Sequence, residues 1–497
     1  MKFKSLLAKP FASIVYNRIR KEMQRAVEDQ DAILDDLIKT GRKTDFGKEH
    51  KFDAIHAYDE YKQAVPIRDY EAFASYINKI KEGRQNVLWT GAPIYLAKTS
   101  GTTSGVKYIP ITKDSIDNHV DSARNTLLCY MAETGNTTFA DGKLIFLSGS
   151  PELERIGNIP SGRLSGIMNH HVPRYLRTNQ LPTYETNCIE DWEHKLDKIV
   201  EETIDQNMTL ISGIPLWMQM YFDKLMERSG KKIKELFRNL DVMVYGGVNF
   251  EPYKARIQES IGASVHNIET YPASEGFFAF QDSQQHEGLL LNTNSGIFYE
   301  FVPAQEIHLE RPTRLSLRDV QPGVNYALII SSNAGLWSYN IGDTVKFLST
   351  DPYRIVVTGR TKHFISAFGE HVIGEEVEQS LLQVAATENV RITEFTVAPR
   401  VQPDKGLPYH EWFVEFENTP GNLEAFANKV DAQMRQRNVL YDGLLRGQVL
   451  QPLKIRTVRR QGFIDYMKSV GKLGGQNKVP RLSNDRKLAD DLVRYLQ

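Results

Sequence analysis

The spacing of apolar and polar residues divides the chain into a helical beginning, an alternating middle and a distinct end. Residues 1–92 have mostly helical periodicity, for example over residues 24–40. Near the N-terminus this spacing predicts an amphipathic helix, which we expect to pack on the body of the protein in preference to a membrane surface. Its predicted apolar face consists of Phe11, Ile14, Val15 and Ile19, with Arg18 beside them.

Residues 93–357 alternate short apolar runs with helical stretches. The runs predict strands at 93–97, 143–147, 209–211, 242–245 and 327–330. Strands that alternate with helices usually form a parallel or mixed sheet, so the pattern predicts an α/β body. Residues 285–350 are denser in strands and turns, which indicates a small barrel or an antiparallel sheet.

The apolar pattern changes after Gly359 and Arg360, and we place a domain boundary near residues 357–363. Residues 363–497 predict strand, helix, strands and helix, with a half-buried strand at 412–416. Acidic residues in 374–379 favour the start of a helix there, because they interact well with the helix dipole. The sequence therefore predicts a large N-terminal domain followed by a smaller C-terminal one.

Composition narrows the classes of function. The chain has 497 residues, with 61 Lys and Arg against 62 Asp and Glu, and its net charge of −1 gives no electrostatic case for nucleic-acid binding. Two cysteines, Cys129 and Cys188, cannot form a disulfide framework or a zinc cluster, and they suit the cytoplasm. The chain has neither a signal-peptide core nor a run of about 18 apolar residues, so we expect no stable membrane insertion.

The most distinctive polar segment is residues 98–107 (KTSGTTSGVK). Five of its ten residues carry a small hydroxyl group and two are glycines. Glycines let the backbone approach an anion, successive N–H groups form a concave anion site, and lysine adds a charge that attracts phosphate. A solvated turn is the alternative. The phosphate-binding candidates are Thr99, Ser100, Gly101, Thr102, Thr103, Ser104, Gly105 and Lys107.

Five further motifs lie at intervals along the chain. They are 245–249 (YGGVN), 271–276 (YPASEG), 338–344 (SYNIGDT), 358–365 (TGRTKHFI) and 475–481 (GQNKVPR). Taken alone, each is weak, and several are compatible with an ordinary turn. Their order and spacing over about 380 residues give them weight as a set.

Together these motifs resemble those of the acyl-adenylate-forming enzymes of the ANL superfamily. Residues 98–107 are similar to their phosphate loop, [ST]-S-G-[ST]-[ST]-G-x-P-K, with Ser104 inserted and the proline missing. The P-loop pattern G-x-x-x-x-G-K-[ST] is absent. The inserted serine and the segment 47–70, which contains VPIRDY, resemble one branch of that superfamily, the acyl-acid amido synthetases of the GH3 (Gretchen Hagen) family.

The resemblance implies roles for residues around the adenine and its metal. Gly246, Gly247 and Val248 would form the adenine slot, although a tight strand-to-helix turn is the alternative for this motif. Tyr271 would stack against the adenine ring. Ser274 would meet a phosphate, and Glu275 would hold Mg²⁺, which prefers one or two carboxylates plus phosphate oxygens.

Further roles are implied for the later motifs. Asp343 would accept both ribose hydroxyls, since a carboxylate has two acceptor oxygens. Arg360 would lie near the ribose or a phosphate, and Lys362 falls at the hinge position of the family. Lys478 would reach the α-phosphate, with Lys472 as the rival. Ser366 stands where the family pattern has a lysine.

The resemblance implies the ANL fold, with α/β subdomains, a small β-barrel and a mobile C-terminal domain. Residues 1–357 would form the adenylation domain, 358–362 the hinge and 363–497 the mobile domain. An acyl pocket would involve the helix at 216–226 and the loop near 148–163. For the helix, an apolar face packed in the protein core is the alternative.

The implied reaction uses ATP and Mg²⁺ to convert a carboxylic acid to an acyl-adenylate, which an amino acid then attacks to give an amide. The expected partners are therefore a small carboxylic acid and an amino acid, in a monomer or weak dimer. An acyl-CoA ligase, with CoA as acceptor, and a nucleotide-binding protein without catalytic activity are the alternatives.

Overall fold

Two compact units make up the described chain. The computed structural model describes residues 3–100, 106–172, 177–247, 250–361, 364–365, 367–368, 370, 372–403, 405–473 and 478–497. The first unit comprises Met1–Ile341 and Lys346–Val356, and the second comprises Gly342–Val345 and Val357–Gln497. In the described part of the chain, no helix has the length and apolar character needed to span a membrane.

Helices fill most of the first 81 residues, as their periodicity predicts. They are α1 (Phe3–Gln24), α2 (Ala26–Gly41), α3 (Asp45–Glu49), α4 (Tyr58–Ala64) and α5 (Tyr70–Lys81), with a 3-10 turn at Phe52–Ala54. Packing of α1 on the body is confirmed, because Ala12, Val15 and Ile19 belong to a buried core cluster. The predicted face is partly wrong, since Phe11 and Ile14 are 47% and 67% exposed. The buried residues follow an i, i+3, i+7 spacing that leaves both outside the packed stripe.

Strands and helices alternate after this region, which confirms the predicted α/β body. The elements are β1 (Tyr95–Ser100), β2 (Val106–Ile111), α6 (Ile116–Thr134), β3 (Lys143–Phe146), β4 (Glu154–Ile156), β5 (Ile159–Arg163), α7 (Leu164–Asn169), β6 (Gln180–Leu181), α8 (Tyr184–Asn187), α9 (Trp192–Thr203), β7 (Met208–Gly213), α10 (Pro215–Ser229), α11 (Ile233–Leu236), β8 (Val242–Gly246), α12 (Glu251–Ile261) and β9 (His266–Ala273). Strands predicted at 143–147, 209–211 and 242–245 are confirmed, whereas the one predicted at 93–97 begins two residues later and continues to Ser100.

Antiparallel strands dominate the next region, as predicted for 285–350. They are β10 (Gly276–Phe280), β11 (Leu289–Leu291), β12 (Ile297–Pro303), β13 (Asn325–Ser332), β14 (Tyr339–Thr350) and β15 (Tyr353–Arg360). Pairing is antiparallel between β10 and β11, β11 and β15, and β12 and β13. The strand predicted at 327–330 is confirmed as part of β13.

One mixed sheet connects the two regions. Among the described strands its order is β12-β13-β14-β15-β11-β10-β9-β8-β7-β3-β6, and a separate sheet has the order β2-β1-β5-β4. Strands β6, β3, β7, β8 and β9 run parallel. Their carboxyl ends therefore meet at one edge, where ligands of open α/β sheets usually bind.

The second unit has its own sheet and core. Its elements are β16 (Phe364–Ile365), β17 (Val372–Ile373), α13 (Gly374–Thr387), β18 (Arg391–Arg400), β19 (Tyr409–Asn418), α14 (Leu423–Arg437), α15 (Val439–Arg446), β20 (Lys454–Val458), α16 (Gly462–Ser469) and α17 (Lys487–Leu492). The helix start predicted at 374–379 is confirmed. The strand predicted as half-buried at 412–416 is buried on both faces, because β19 is central and Trp412 and Phe413 enter different core clusters.

Candidate functional site

The candidate phosphate loop joins the two strands of a hairpin. Ser100 pairs with Val106 and Thr99 with Lys107 across β1 and β2. The Lys107 ammonium lies 5.4 Å from the centre of the Tyr70 ring. The hairpin therefore places Thr99 and Lys107 opposite each other where the loop begins and ends.

The segment 65–70 (VPIRDY) supports this hairpin. Residue chemistry alone did not predict this supporting role. The Tyr108 N–H donates to the Tyr70 hydroxyl over 2.9 Å, next to Lys107. The Arg68 N–H donates to the Ser338 carbonyl over 3.1 Å, and the Arg68 carbonyl accepts from the Asn340 N–H over 2.8 Å. One segment thus fixes the exit of the phosphate loop and the start of β14, the strand that carries Asp343. Its only signal in the sequence was the family resemblance of 47–70.

Gly246 lets β8 and β9 approach closely at the carboxyl edge of the sheet. A Cβ atom at this position would lie 2.4 Å from the Thr270 carbonyl oxygen and 2.6 Å from its hydroxyl. The Thr270 hydroxyl donates to the Tyr245 carbonyl over 3.0 Å. Gly247 follows with φ +81°, a left-handed value that favours glycine. Both glycines of the predicted adenine slot are therefore required by the local backbone.

Substitution Gly246→Ala tests this close approach. We expect the free energy of unfolding to fall by about 1–3 kcal/mol, because the new methyl group meets backbone that cannot rotate away. Urea-induced unfolding measures the loss. Gly443→Ala in α15 is the matched control, since no atom lies within 4 Å of its added Cβ. Equal stability of the Gly246→Ala variant and the wild type would contradict the steric argument.

Glu275 lies on the tight turn between β9 and β10. It is half-buried, whereas Ser274 beside it is buried. Asn118 of α6 holds the backbone of Phe277, two residues after Glu275, since its side chain accepts from the Phe277 N–H over 2.7 Å and donates to the Phe277 carbonyl over 3.2 Å. Tyr271, at the end of β9, is buried. The hairpin is a rigid support that leaves the Glu275 carboxylate partly accessible at the carboxyl edge.

Asp343, Arg360 and Lys478 come together in the second unit. The Arg360 Nε lies 2.9 Å from an Asp343 carboxylate oxygen. A backbone hydrogen bond of 2.7 Å from Thr361 to Gly342 holds the two segments together. The Asp343 carboxylate and the Arg360 guanidinium act on the Lys478 ammonium in opposite directions. Because Lys478 is solvent-exposed, water screens both charges.

The residues after Lys478 are anchored to β18. The Thr396 hydroxyl donates to the Pro480 carbonyl over 2.7 Å. The Arg481 guanidinium forms an ion pair with Glu394 and lies 4.6 Å from the centre of the Phe395 ring. This anchor holds the segment that presents Lys478, whereas Lys472 is an exposed residue next to a helix end.

The candidate residues thus form two groups. The first unit holds Thr99, Lys107, Gly246, Gly247, Tyr271, Ser274 and Glu275, and the second holds Asp343, Arg360 and Lys478. The remaining candidates lie outside the described residues: Gly101, Thr102, Thr103, Ser104, Gly105, Val248, Lys362 and the side chain of Ser100. The first group offers hydroxyls, a cation and a carboxylate, and the second offers a carboxylate and two cations.

Solved structures place the fold in a known class. A GH3.15 acyl acid amido synthetase matches with a TM-score of 0.80 over 97% of this chain and 96% of that chain, at 14% identity. A 2-hydroxyisobutyryl-CoA ligase in complex with 2-HIB-AMP matches with a TM-score of 0.62 over 95% of this chain and 94% of that chain, at 12% identity. The expected ANL adenylating-enzyme fold is confirmed.

Three domain models of one protein family match most of this chain. The GH3 family N-terminal domain matches residues 15–187, the central domain residues 290–360 and the C-terminal domain residues 375–487. The chain belongs to the GH3 family. The matched spans contain the phosphate-loop hairpin, Asp343, Arg360 and Lys478, while the hairpin with Glu275 lies between the first two spans.

Two relatives with described activities are similar in sequence. An indole-3-acetic acid-amido synthetase GH3.3 from Arabidopsis thaliana is 26% identical over 49% of this chain, and the match spans 43% of that protein. A jasmonoyl-L-amino acid synthetase JAR4 from Nicotiana attenuata is 20% identical over 85% of both chains. The first is an amido synthetase by name, and the second is an amino acid synthetase by name.

Proposed function

We propose that this protein is a ligase that uses ATP to activate a carboxylic acid and transfers the acyl group to the amine of an amino acid. The observation that carries the proposal is the grouping of Asp343, Arg360 and Lys478 in the second unit of a GH3-family chain. A carboxylate for the ribose hydroxyls beside two cations for phosphate suits a nucleotide.

The first step forms the acyl-adenylate. A carboxylate oxygen of the acid attacks the α-phosphorus of ATP, a new P–O bond forms, and pyrophosphate leaves with the electrons of the broken bond. Lys478 stabilises the charge that develops on the α-phosphate, and the hairpin of Thr99 and Lys107 holds the β- and γ-phosphates. Gly246, Gly247 and Tyr271 bind the adenine.

The second step forms the amide. The amine of the amino acid attacks the acyl carbon, AMP leaves with the electrons of the broken C–O bond, and the amine loses its proton. We propose that residues 1–357 form the adenylation domain and that 363–497 move about the hinge 358–362, which includes Lys362. This movement withdraws Lys478 and admits the amino acid.

We assign Mg²⁺ to Glu275. Among the described residues, no group of three or more His, Cys, Asp or Glu could hold a metal ion. Magnesium that binds mainly to substrate phosphates needs only one or two protein carboxylates. The half-buried Glu275 on its rigid turn suits this requirement, and Mg²⁺ there would neutralise phosphate charge.

The acid and amino acid are proposed only as classes. Indole-3-acetic acid and jasmonic acid are named for relatives that are 26% and 20% identical, which does not carry their substrates to this chain. We also propose a cytoplasmic location and a monomer or weak dimer; the two free cysteines suit the former.

Pyrophosphate release from ATP across a panel of carboxylic acids tests the first step. Adding mixed amino acids in one arm and CoA in the other, followed by product mass, identifies the acceptor. We expect amide products in the amino acid arm. Thioester products alone would make the protein an acyl-CoA ligase, and no AMP formation with any acid would leave a nucleotide-binding protein.

A further inference from the structure

The loop that follows β3 is held in place by side chains from several directions. The Lys195 ammonium, which is buried, donates to the carbonyls of Ser148 and Asn187 over 2.9 and 2.7 Å. The Ser165 hydroxyl accepts from the Gly149 N–H over 3.2 Å. This loop lies at the carboxyl end of a parallel strand, where ligands of α/β sheets bind.

Arg163 lies against this fixed loop. It ends β5 and precedes α7, and in the small sheet it pairs with Lys98, two residues before the described end of β1. A Cβ atom on Gly149 would lie 3.1 Å from the Arg163 Cδ, so the stem of the arginine crosses this glycine. Because Gly149 has no side chain, the Arg163 stem fits between β1, which leads into the candidate phosphate loop, and the loop that follows β3.

The Arg163 guanidinium has no acidic partner in the described part of the chain. It makes no hydrogen bond or ion pair there, and burial alone lowers its pKa. Its side chain is half-buried. By contrast, Lys98 beside it forms an ion pair with Glu154. A half-buried guanidinium with no described acidic partner is open to an anionic ligand, which would supply the counter-charge.

We propose that Arg163 binds a substrate carboxylate that does not react, as a specificity-determining residue of the ligase proposed above. The guanidinium fork matches a carboxylate bidentately, and every amino acid acceptor carries one. The same chemistry would arise if the acid substrate had a second carboxylate. This inference rests on the proposed function for its substrates, but its binding test does not require turnover.

Calorimetry without ATP provides that binding test. Alanine is compared with alaninamide, and succinate with butyrate, for the wild type and for Arg163→Gln and Arg163→Lys. We expect carboxylate-dependent binding in one pair, weakened about 10–100-fold in Arg163→Gln and less in Arg163→Lys. Alanine binding identifies the acceptor as the source, and succinate binding identifies the acid. Equal affinities of wild type and Arg163→Gln, or no carboxylate-dependent binding to the wild type, would overturn the proposal.

Kinetics separate the two proposals. In the pyrophosphate assay the KM of the carboxylate-bearing substrate should rise about 10–100-fold in Arg163→Gln, with the KM of ATP unchanged. Gly149→Ala should raise the same KM, because it displaces the arginine stem without removing the charge. Arg155→Gln, an exposed arginine in the same sheet, is the matched control and should behave as wild type. A rise in the KM of ATP alone would overturn the Arg163 proposal and leave the ligase proposal intact. Absence of pyrophosphate release, together with intact Arg163-dependent binding, would overturn the ligase proposal and leave the Arg163 proposal intact.

Discussion

Substitution Lys478→Ala is expected to slow acyl-adenylate formation by about 10²–10³-fold. The reason is electrostatic, because the attack of a carboxylate on the α-phosphorus builds up negative charge that a positioned cation stabilises. Lys478 is an exposed cation close to Asp343 and Arg360, at the start of the segment that Arg481 anchors. The measurement is ATP–pyrophosphate exchange with the best acid of the panel.

Lys472→Ala is the matched control for this experiment. Lys472 is an exposed lysine only six residues earlier, and we expect its removal to leave the exchange rate within about twofold of wild type. Amide formation from a synthetic acyl-adenylate should survive in Lys478→Ala, since AMP transfer is already complete. Normal exchange in Lys478→Ala, with a large loss in Lys472→Ala, would reverse the assignment of the two lysines.

Local patterns in the sequence predicted much of the fold because they report burial directly. The apolar runs at 143–147, 209–211, 242–245 and 327–330 are strands in the structure. The pattern failed where burial depended on the rest of the fold. Residues 412–416 predicted a half-buried strand, but helices cover both faces of β19, and no local pattern shows a second layer.

The candidate site was also predicted only in part, since local motifs were visible in the sequence and long-range contacts were not. The hydroxyl-rich loop at 98–107 has a local chemical signature of its own, whereas the role of Glu275 was implied only by the family resemblance. The supports of the site were not predictable, because they join distant segments. Arg68 bonds to Ser338 and Asn340, and Asn118 bonds to Phe277, across long stretches of chain. Such pairs follow from the topology, which a linear pattern does not contain.

Substitution Arg314→Met is expected to lower the free energy of unfolding of the first unit by about 3–5 kcal/mol. Arg314 and Glu300 are buried, with side chains 8% and 0% exposed and 2.6 Å apart. The arginine also donates to the carbonyls of Lys62 and Val65 and to the Ser338 hydroxyl. Its removal leaves the Glu300 charge in the core without a cation and loosens the segment before the VPIRDY residues. Urea-induced unfolding followed by tryptophan fluorescence reports the change.

Arg318→Met provides the matched control for Arg314→Met. Arg318 and its partner Asp31 lie 2.8 Å apart, but their side chains are 62% and 60% exposed. An exposed pair contributes about 0–1 kcal/mol, so this variant should remain close to wild type. The double variant Arg314→Met, Glu300→Gln should regain part of the stability lost in Arg314→Met, because it removes the isolated charge. If the two arginine variants lost equal stability, or if the double variant were less stable than Arg314→Met, burial of the unpaired carboxylate would not be the cause.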